Sequence, residues 1–492
     1  MPPALLATLV AAYFGLLLLV AWRTSRHAGN EGFFIGQRSS HWALVAFGMV
    51  GTSLSGVTFI SVPGAVGANG MVYLQIVLGH VLGYAVVAFV LLPLYYRLKL
   101  TSIYRYLEVR FGPRSHRTGA AFFIGSRTLG ATARLYLVIA VLQEAILSRL
   151  GVPFAVTAAV ILLMIVLYTI EGGVKTIVWT DTLQTAGMLF GLVFCIWMLL
   201  GALSLSPVDA WARMNETGLS RIWGTDWLRA DHWAKQVLAG AFIAIAMTGM
   251  DQEMMQKNIS VKTLGGAQLN VMVLSLIMLA VVALFLFLGG LLSLFAQQVG
   301  LPTSGDKLFP AVVMGHLPAF VQVVFILGLI SALFPSADGA LTALTSSTCI
   351  DLLGMQQRAD WTEAKKLQVR RAVHLSFAAL FMALVLGFKA LNDPSMIGLI
   401  LKIAGYTYGP LLGLFAFGLL TRRVVVDAAV PWIALGAPLL CAAIDFNQAA
   451  LFGAYRMGLE LLVLNGGITF GGLWVASSSD PSAAVAVRRS AA

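Results

Sequence analysis

Long apolar segments separated by short polar loops make up most of the chain. A helix needs about 20 mostly apolar residues to cross the hydrocarbon core of a bilayer. The segments that meet this length are residues 4–22, 42–69, 71–96, 118–147, 152–170, 180–203, 236–257, 268–297, 319–351, 371–391, 396–420, 425–445 and 457–476. The pattern predicts an all-α integral membrane protein with about 13 transmembrane helices, in one domain over residues 1–492.

Composition supports this prediction and excludes several classes of protein. The 492 residues are 59% hydrophobic and only 11% charged, whereas a soluble domain carries roughly 25% charged residues. Cys195, Cys349 and Cys441 lie inside apolar segments, so we expect neither a disulfide framework nor a zinc site. The chain has no HExxH or GxSxG pattern, so we do not expect an enzyme.

The net charge of +11 has a membrane explanation. The basic residues are dispersed among the loops, which argues against nucleic acid as a partner. With the N-terminus outside, 21 of the 32 lysines and arginines fall in inside segments, Lys257 among them, against 8 outside. Cytoplasmic loops carry such an excess, so we predict a multi-pass cell-membrane protein with its C-terminus in the cytoplasm. Residues 4–22 lack a basic leader and a cleavage site, so we expect a retained helix.

Two predicted spans contain signals that interrupt a helix. The second has glycines and serines between Gly48 and Gly56, and the seventh has Thr248-Gly249 followed by Asp251. Interrupted spans at corresponding positions of two half-repeats indicate a transporter binding site near the bilayer midplane. The alternative is close helix packing through small residues.

Acidic residues inside predicted spans are candidates for a functional role. Asp338 lies deep in the ninth span, beside Pro335, which cannot donate to the Ser331 carbonyl. Carboxylate and carbonyl oxygens together suit a hard cation such as Na⁺. Asp181 begins the sixth span, where the alternative is a helix cap.

Three basic residues also fall within predicted spans. Arg127 and Arg134 share one face of the fourth span, and Lys402 lies in the eleventh. Arg127 is near the span end, so its alternative is snorkelling to the cytoplasmic interface. Arg134 is deeper and needs a partner, either a structural acid or carbonyl, or a substrate carboxylate.

Several of these residues belong to stretches that resemble the sodium/solute symporter family, which includes bacterial proline, sialic acid and galactose carriers. The stretches are Phe33-Phe34-Ile35-Gly36, Ser53-Leu54-Ser55-Gly56 through Pro63-Gly64, Tyr104 through Gly112, Gly172-Gly173 with Trp179-Thr180-Asp181, Gly249-Met250-Asp251-Gln252 with Gln256-Lys257, Ser336-Ala337-Asp338 through Asp351, and Gly409-Pro410. They occur in the family's order. The resemblance implies a five-plus-five inverted-repeat transporter core, with one leading helix (4–22), core helices over 42–420 and two trailing helices (425–476).

The resemblance also implies positions for sodium. The main site would use carbonyls of Gly51, Leu54 and Ala332 and the Ser336 hydroxyl, with Pro335 standing where a second hydroxyl is usual. A second sodium site in some members uses an acid that matches Asp181, with two small hydroxyl residues. The matching positions of this chain are Asp338 and Gly339.

Substrate residues follow from the same resemblance. Galactose carriers use an Asn and a Tyr where this chain has Ala244 and Met247, so a sugar of that type is disfavoured. Sialic acid carriers use hydroxyls and an arginine that resemble Ser53, Ser55, Thr58 and Arg134. Gln75, from the third span, could orient the rest of a polar molecule.

The expected function is a sodium-coupled symporter that imports a small polar solute, such as a sugar acid or another carboxylate. We expect Na⁺, the solute and the lipid bilayer as partners, no further cofactor and no obligate protein partner. The alternatives are a proton-coupled or uncoupled carrier of an amino acid or other neutral solute, a channel, or a non-transporting sensor. A sensor would need an appended signalling domain, and the chain ends shortly after its last predicted helix.

The charge distribution generates a prediction about orientation. Reporter fusions at Ala492 should be active with a cytoplasmic reporter and silent with a periplasmic one, because the inside segments carry the excess positive charge. The opposite pattern of activity would reverse the orientation.

Overall fold

The computed structural model describes residues 3–25, 33, 40–148, 151–391 and 396–479. It is 82% helical. The helices are α1 Pro3–Ser25, α2 Trp42–Ser53, α3 Gly56–Asn69, α4 Tyr73–Arg97, α5 Arg105–Arg110, α6 Pro113–Leu142, α7 Phe154–Leu203, α8 Pro207–Glu216, α9 Trp233–Gly249, α10 Gln252–Ile259, α11 Leu264–Val299, α12 Leu308–His316, α13 Ala319–Leu352, α14 Glu363–Leu391, α15 Met396–Thr407, α16 Gly409–Leu420, α17 Val430–Phe446, α18 Gln448–Phe452 and α19 Leu461–Val475.

Two short strands lie beside the last helices. β1 (Val424–Val425) and β2 (Ser477–Ser478) pair antiparallel, with Val424 opposite Ser478. They connect the segment after α16 to the end of α19.

Each predicted span has a helical counterpart in the structure. Five helical segments are long and apolar enough to cross a membrane: α4, Thr176–Leu203 within α7, α11, α13 and α14. Three bent helix pairs bring the number of candidate spans to as many as eight. The shorter apolar helices are Thr8–Arg23, Phe154–Ile170, α17 and α19. The fourth predicted span corresponds to α6, whose arginines lower its hydropathy.

Both predicted interruptions are present. The second span bends by 57° between α2 and α3, at Leu54 and Ser55, and the seventh bends by 66° between α9 and α10. A third bend, of 45°, separates α15 from α16 at Tyr408 and was not predicted. Pro410 begins α16, and its missing N–H and its restriction on the preceding residue favour a helix boundary there.

One predicted boundary is wrong. The fifth and sixth spans form a single helix, α7, of 50 residues. At 1.5 Å per residue a straight helix of this length would be about 75 Å long, more than twice the hydrocarbon thickness. Asp181 therefore lies inside a helix, and its alternative role as a helix cap is excluded.

The broken second span lies between α7 and α13. A Cβ atom placed on Gly51 would lie 3.4 Å from Pro335 Cγ and 3.6 Å from the Asp181 carbonyl oxygen. A Cβ atom on Gly56 would lie 3.9 Å from the Ala332 carbonyl oxygen. The break is therefore in contact with the part of α13 that the sequence assigns to sodium.

Part of the sequence interpretation falls outside the described residues. Within the Phe33-Phe34-Ile35-Gly36 stretch only Phe33 is described, and it is fully buried. The C-terminal segment from residue 480 onward, on which the predicted orientation also depends, is likewise outside them.

Candidate ion and solute site

A small cavity of about 110 Å³ borders the breaks of the second and seventh spans. A space of this size holds several water molecules or one small solute. Its polar lining comes from five helices: Thr52 and Ser53 of α2, Thr58 of α3, Tyr73, His80 and Tyr84 of α4, Arg127 and Arg134 of α6, and Thr248 of α9. Its remaining lining is apolar, as is usual for a ligand pocket with a few oriented polar groups.

Arg134 lies at this cavity. Among the described residues, none makes a hydrogen bond or an ion pair with its guanidinium. The structural acid or carbonyl considered from the sequence is therefore not found within the described part of the chain. An arginine at membrane depth is costly without a partner, so the guanidinium is available to an anion in the cavity.

Arg127, seven residues before Arg134 on α6, forms ion pairs with two acids. Its side chain is 5% exposed and pairs through Nη2 with Glu253 Oε2 and through Nη1 with Asp251 Oδ2 at 3.8 Å. Asp251 also accepts a hydrogen bond from the Tyr408 hydroxyl at 2.7 Å. The snorkelling alternative for Arg127 is wrong, because both acids lie in or beside α10 within the buried core.

Lys257 is likewise buried, which corrects its assignment to a cytoplasmic loop. It is 2% exposed, and its Nζ donates to Asp181 Oδ2 at 2.7 Å and to Thr52 Oγ1 at 2.6 Å. Thr52 in turn donates to the same Asp181 oxygen at 3.0 Å. Lys257 therefore connects α10 with α7 and with the last turn of α2.

Among the described residues, the hydrogen-bond partners of Asp338 are all neutral groups. Its Oδ2 accepts from the Tyr168 hydroxyl at 2.8 Å, and its Oδ1 accepts from the Gly339 N–H at 2.5 Å. Asp338 and Asp181 are both fully buried. The two acids singled out in the sequence thus differ, since Asp181 has a cation beside it and Asp338 has hydrogen-bond donors.

The residues assigned to the main sodium site lie on facing elements. Gly51 is in the last turn of α2, Leu54 is at the break, and Ala332 and Ser336 are buried in α13. The last carbonyls of a helix have no partner within that helix, and such ends coordinate Na⁺ in broken transporter helices. Ser336 Oγ donates to the Leu333 carbonyl at 2.9 Å, so its lone pairs remain available to a cation.

A hydroxyl from a third helix adds to this set. Thr185 Oγ1 of α7 is buried, has no hydrogen-bond partner among the described residues, and faces the space left by the missing side chain of Gly51. An orphaned oxygen beside these positions fits a cation that is coordinated by oxygen. The structure therefore offers a hydroxyl near the place where Pro335 lacks one.

The predicted substrate residues fall into two groups. Ser53, Thr58 and Arg134 line the cavity, whereas Ser55 and Gln75 do not. Ser55 is the N-cap residue of α3. Gln75 Nε2 donates to the carbonyl oxygens of Val72 at 3.2 Å and Asp231 at 3.4 Å.

Several residues of the site were not found from the sequence. Tyr73, His80 and Tyr84 line the cavity from α4, and both ring nitrogens of His80 are buried without a hydrogen-bond partner among the described residues. They are seven and four residues apart, so they share one helix face. This spacing could have indicated the site, but the residues between them are mostly apolar. Glu253 and Lys257, which are four residues apart on α10, also share a helix face and were likewise not assigned to the site from the sequence.

A larger cavity of about 330 Å³ lies between α1, α7 and α13. Apart from Thr157, its lining is apolar, with residues such as Phe14, Ile161 and Phe334. It offers no charged group to an ion or a polar solute, so it is not the candidate site.

The buried pair of Arg127 and Glu253 generates a stability prediction. Glu253→Gln should lower the unfolding free energy by about 3–5 kcal/mol, because it leaves a buried charge without full compensation. Thermal unfolding in detergent measures the loss, and the Arg127→Gln/Glu253→Gln double variant should recover most of it.

The matched control is the more exposed pair of Glu363 and Lys366, whose nitrogen and oxygen are 2.9 Å apart. Glu363→Gln should change stability by about 0–1 kcal/mol. Equal losses in Glu253→Gln and Glu363→Gln would show that the buried pair is not important for stability.

The chain matches known proteins over most of its length. The model of the sodium:solute symporter family matches residues 33–434. The sodium/sialic acid symporter SiaT of Proteus mirabilis is 23% identical over an alignment of 475 positions that covers 93% of this chain and 93% of that protein. Sodium-coupled monocarboxylate transporter 1 of Mus musculus is 26% identical and aligns with 83% of this chain and 69% of that protein. The human sodium/iodide cotransporter is 25% identical, over 87% of this chain and 69% of its own length.

Solved structures support the same fold. A sodium-coupled sialic acid symporter in a substrate-bound outward-open state superposes with a TM-score of 0.82 at 18% identity, over 96% of this chain and 99% of that one. Mhp1, a nucleobase-cation-symport-1 family transporter, superposes with a TM-score of 0.58 at 13% identity, over 90% and 94%. These matches confirm the predicted fold class, an all-α membrane transporter. Since the family model spans far more than half of the chain, this multi-pass membrane protein belongs to the sodium:solute symporter family.

Proposed function

We propose that this protein is a sodium-coupled symporter that imports a small organic anion by alternating access. The observation that carries the proposal is the contrast between two arginines on one helix face. Arg127 is neutralised by Glu253 and Asp251, whereas Arg134 faces the cavity without a partner among the described residues. A guanidinium in this position favours a negatively charged solute.

The chemistry of the cavity suits a carboxylate. A planar guanidinium binds a carboxylate through two parallel hydrogen bonds. The Ser53 and Thr58 hydroxyls and the tyrosines of α4 line the same space and could orient the polar remainder of the molecule. The sialic acid symporter, the monocarboxylate transporter and the iodide cotransporter are each named for an anion, which supports this substrate class.

Sodium coupling rests on the family and on the oxygens at the break. Gly51, Leu54, Ala332 and Ser336 would hold Na⁺, with Thr185 as a further oxygen from α7. A bound Na⁺ supplies positive charge between the broken second span and α13, so its binding would stabilise their contact. Asp181 and Asp338 complete the proposal as acids that help to hold a cation nearby.

Orientation and domain extent belong to the same proposal. The positive-inside bias favours an N-terminus outside and a C-terminus in the cytoplasm. We also propose that residues 1–492 belong to one transmembrane domain. Ser55 and Gln75, which do not line the cavity in this conformation, would contribute only if the solute contacts change during the cycle.

Arg134→Lys tests the substrate class. The variant keeps the charge but loses the forked geometry, so the affinity for an organic anion should fall about tenfold or more, as expected for losing a charge-assisted hydrogen bond. Binding is measured by a thermal-shift screen of small carboxylates, sugar acids and amino acids in saturating Na⁺, followed by uptake into proteoliposomes.

Arg213→Lys, an exposed substitution on α8, is the matched control and should leave the affinity unchanged. If the transported solute is neutral and Arg134→Gln leaves its affinity intact, the anion assignment fails and Arg134 is a structural residue.

Ser336→Ala tests sodium coupling. Because it removes one of the proposed oxygen ligands, the Na⁺ concentration for half-maximal uptake should rise several-fold. The measurement is uptake against Na⁺ concentration at constant ionic strength. Ser376→Ala is a matched control, since Ser376 also bonds a carbonyl of its own helix but is exposed on α14. Uptake that follows a proton gradient and ignores Na⁺ would contradict the proposal.

A further inference from the structure

Lys257 is surrounded by oxygen atoms in the way a small cation would be. Its three ammonium protons face three oxygens: Asp181 Oδ2 at 2.7 Å, Thr52 Oγ1 at 2.6 Å and Glu253 Oε1 at 3.5 Å. These oxygens come from α7, α2 and α10. The ammonium therefore connects the broken second and seventh spans to the long helix between them.

Helix α13 is shaped to admit this head group. A Cβ atom placed on Gly339 would lie 3.1 Å from Lys257 Nζ and would overlap the Glu253 carboxylate. No side chain can occupy that position of α13 unless the lysine or the glutamate moves. The space beside Gly339 is therefore filled by the charged groups of Glu253 and Lys257.

Asp181 and Glu253 each have a basic side chain of the protein beside them. Lys257 lies against Asp181, and Arg127 lies against Glu253, with side-chain exposures of 5% or less for all four. Buried carboxylates need such compensation, because an uncompensated one costs several kcal/mol. A sodium ion at the bonded oxygen of Asp181 would have to displace the ammonium from it.

We infer that Lys257 is a tethered cation that occupies the acidic site at Asp181 in place of a second sodium ion. The inference rests on the proposed sodium coupling and makes it more specific, since it assigns one free Na⁺ to each transport cycle, at the main site. The cation held by Asp181 is then a side chain of the protein. It does not cross the membrane, so it cannot couple the Na⁺ gradient to solute uptake.

Sodium binding to the purified protein tests this inference without a known substrate. The wild type and Lys257→Gln are titrated with NaCl against choline chloride at constant ionic strength, and both ²²Na⁺ bound per protein and Tm are recorded. The wild type should bind one ion. Lys257→Gln should bind two, because sodium enters the vacated oxygens, and its slope of Tm against the logarithm of Na⁺ concentration should about double.

Lys402→Gln is the matched control. Lys402 also pairs with an acid, Asp445, at 3.0 Å, but its side chain is 53% exposed and does not line the cavity. This variant should bind one sodium ion with the wild-type slope. A doubled slope in Lys402→Gln would show that loss of any lysine produces the effect, and the inference would fail.

The possible results separate the inference from the proposed function. Two sodium ions on the wild type, or one on folded Lys257→Gln, overturn the inference and leave sodium coupling intact. No sodium on the wild type overturns the coupling itself. If Lys257→Gln cannot be purified, the number of sodium ions on the wild type decides, since one ion supports the tethered cation and two ions overturn it.

Discussion

A charged side chain buried in the membrane is costly unless a charged or polar group compensates it, because no water is available to solvate it. In this protein Arg127 pairs with Glu253, and Lys257 pairs with both Glu253 and Asp181. These four side chains compensate one another's charge. The contacts join α6, α10, α7 and, through Thr52, the end of α2. The interrupted helices are therefore held where they break, and the cavity forms beside them.

At a helix break, backbone groups inside the membrane lose their hydrogen-bond partners within the helix. In a continuous helix the same groups are paired. The bends at Leu54–Ser55 and at Met250–Asp251 lie on two of the spans that border the cavity. The third bend lies at Tyr408, whose hydroxyl donates to Asp251. Unpaired backbone at membrane depth is tolerated only where protein or a cavity satisfies it. The breaks border the cavity and expose the carbonyls that we propose as sodium ligands.

The two arginines of α6 illustrate how one sequence pattern supports different roles. Both lie on the same face and both line the cavity, but only Arg127 has acids within reach in the described structure. Arg127 has two acids as partners, whereas no described residue pairs with Arg134. A similar contrast separates Asp181, which has an ammonium beside it, from Asp338, which is bonded by a tyrosine and a backbone amide.

The sequence by itself determined the helical membrane fold, the positions of most helical segments and two of the three breaks, because apolar length and glycine-serine clusters are local properties. It also identified Asp181, Asp338 and Arg134 as ionisable groups within the spans. Only the tertiary structure decided their partners. Lys257 and Glu253 are near a predicted helix end, and nothing local indicates that α10 turns back into the core. The continuous helix α7 and the bend at Tyr408 depend in the same way on packing between distant segments, which no local pattern records.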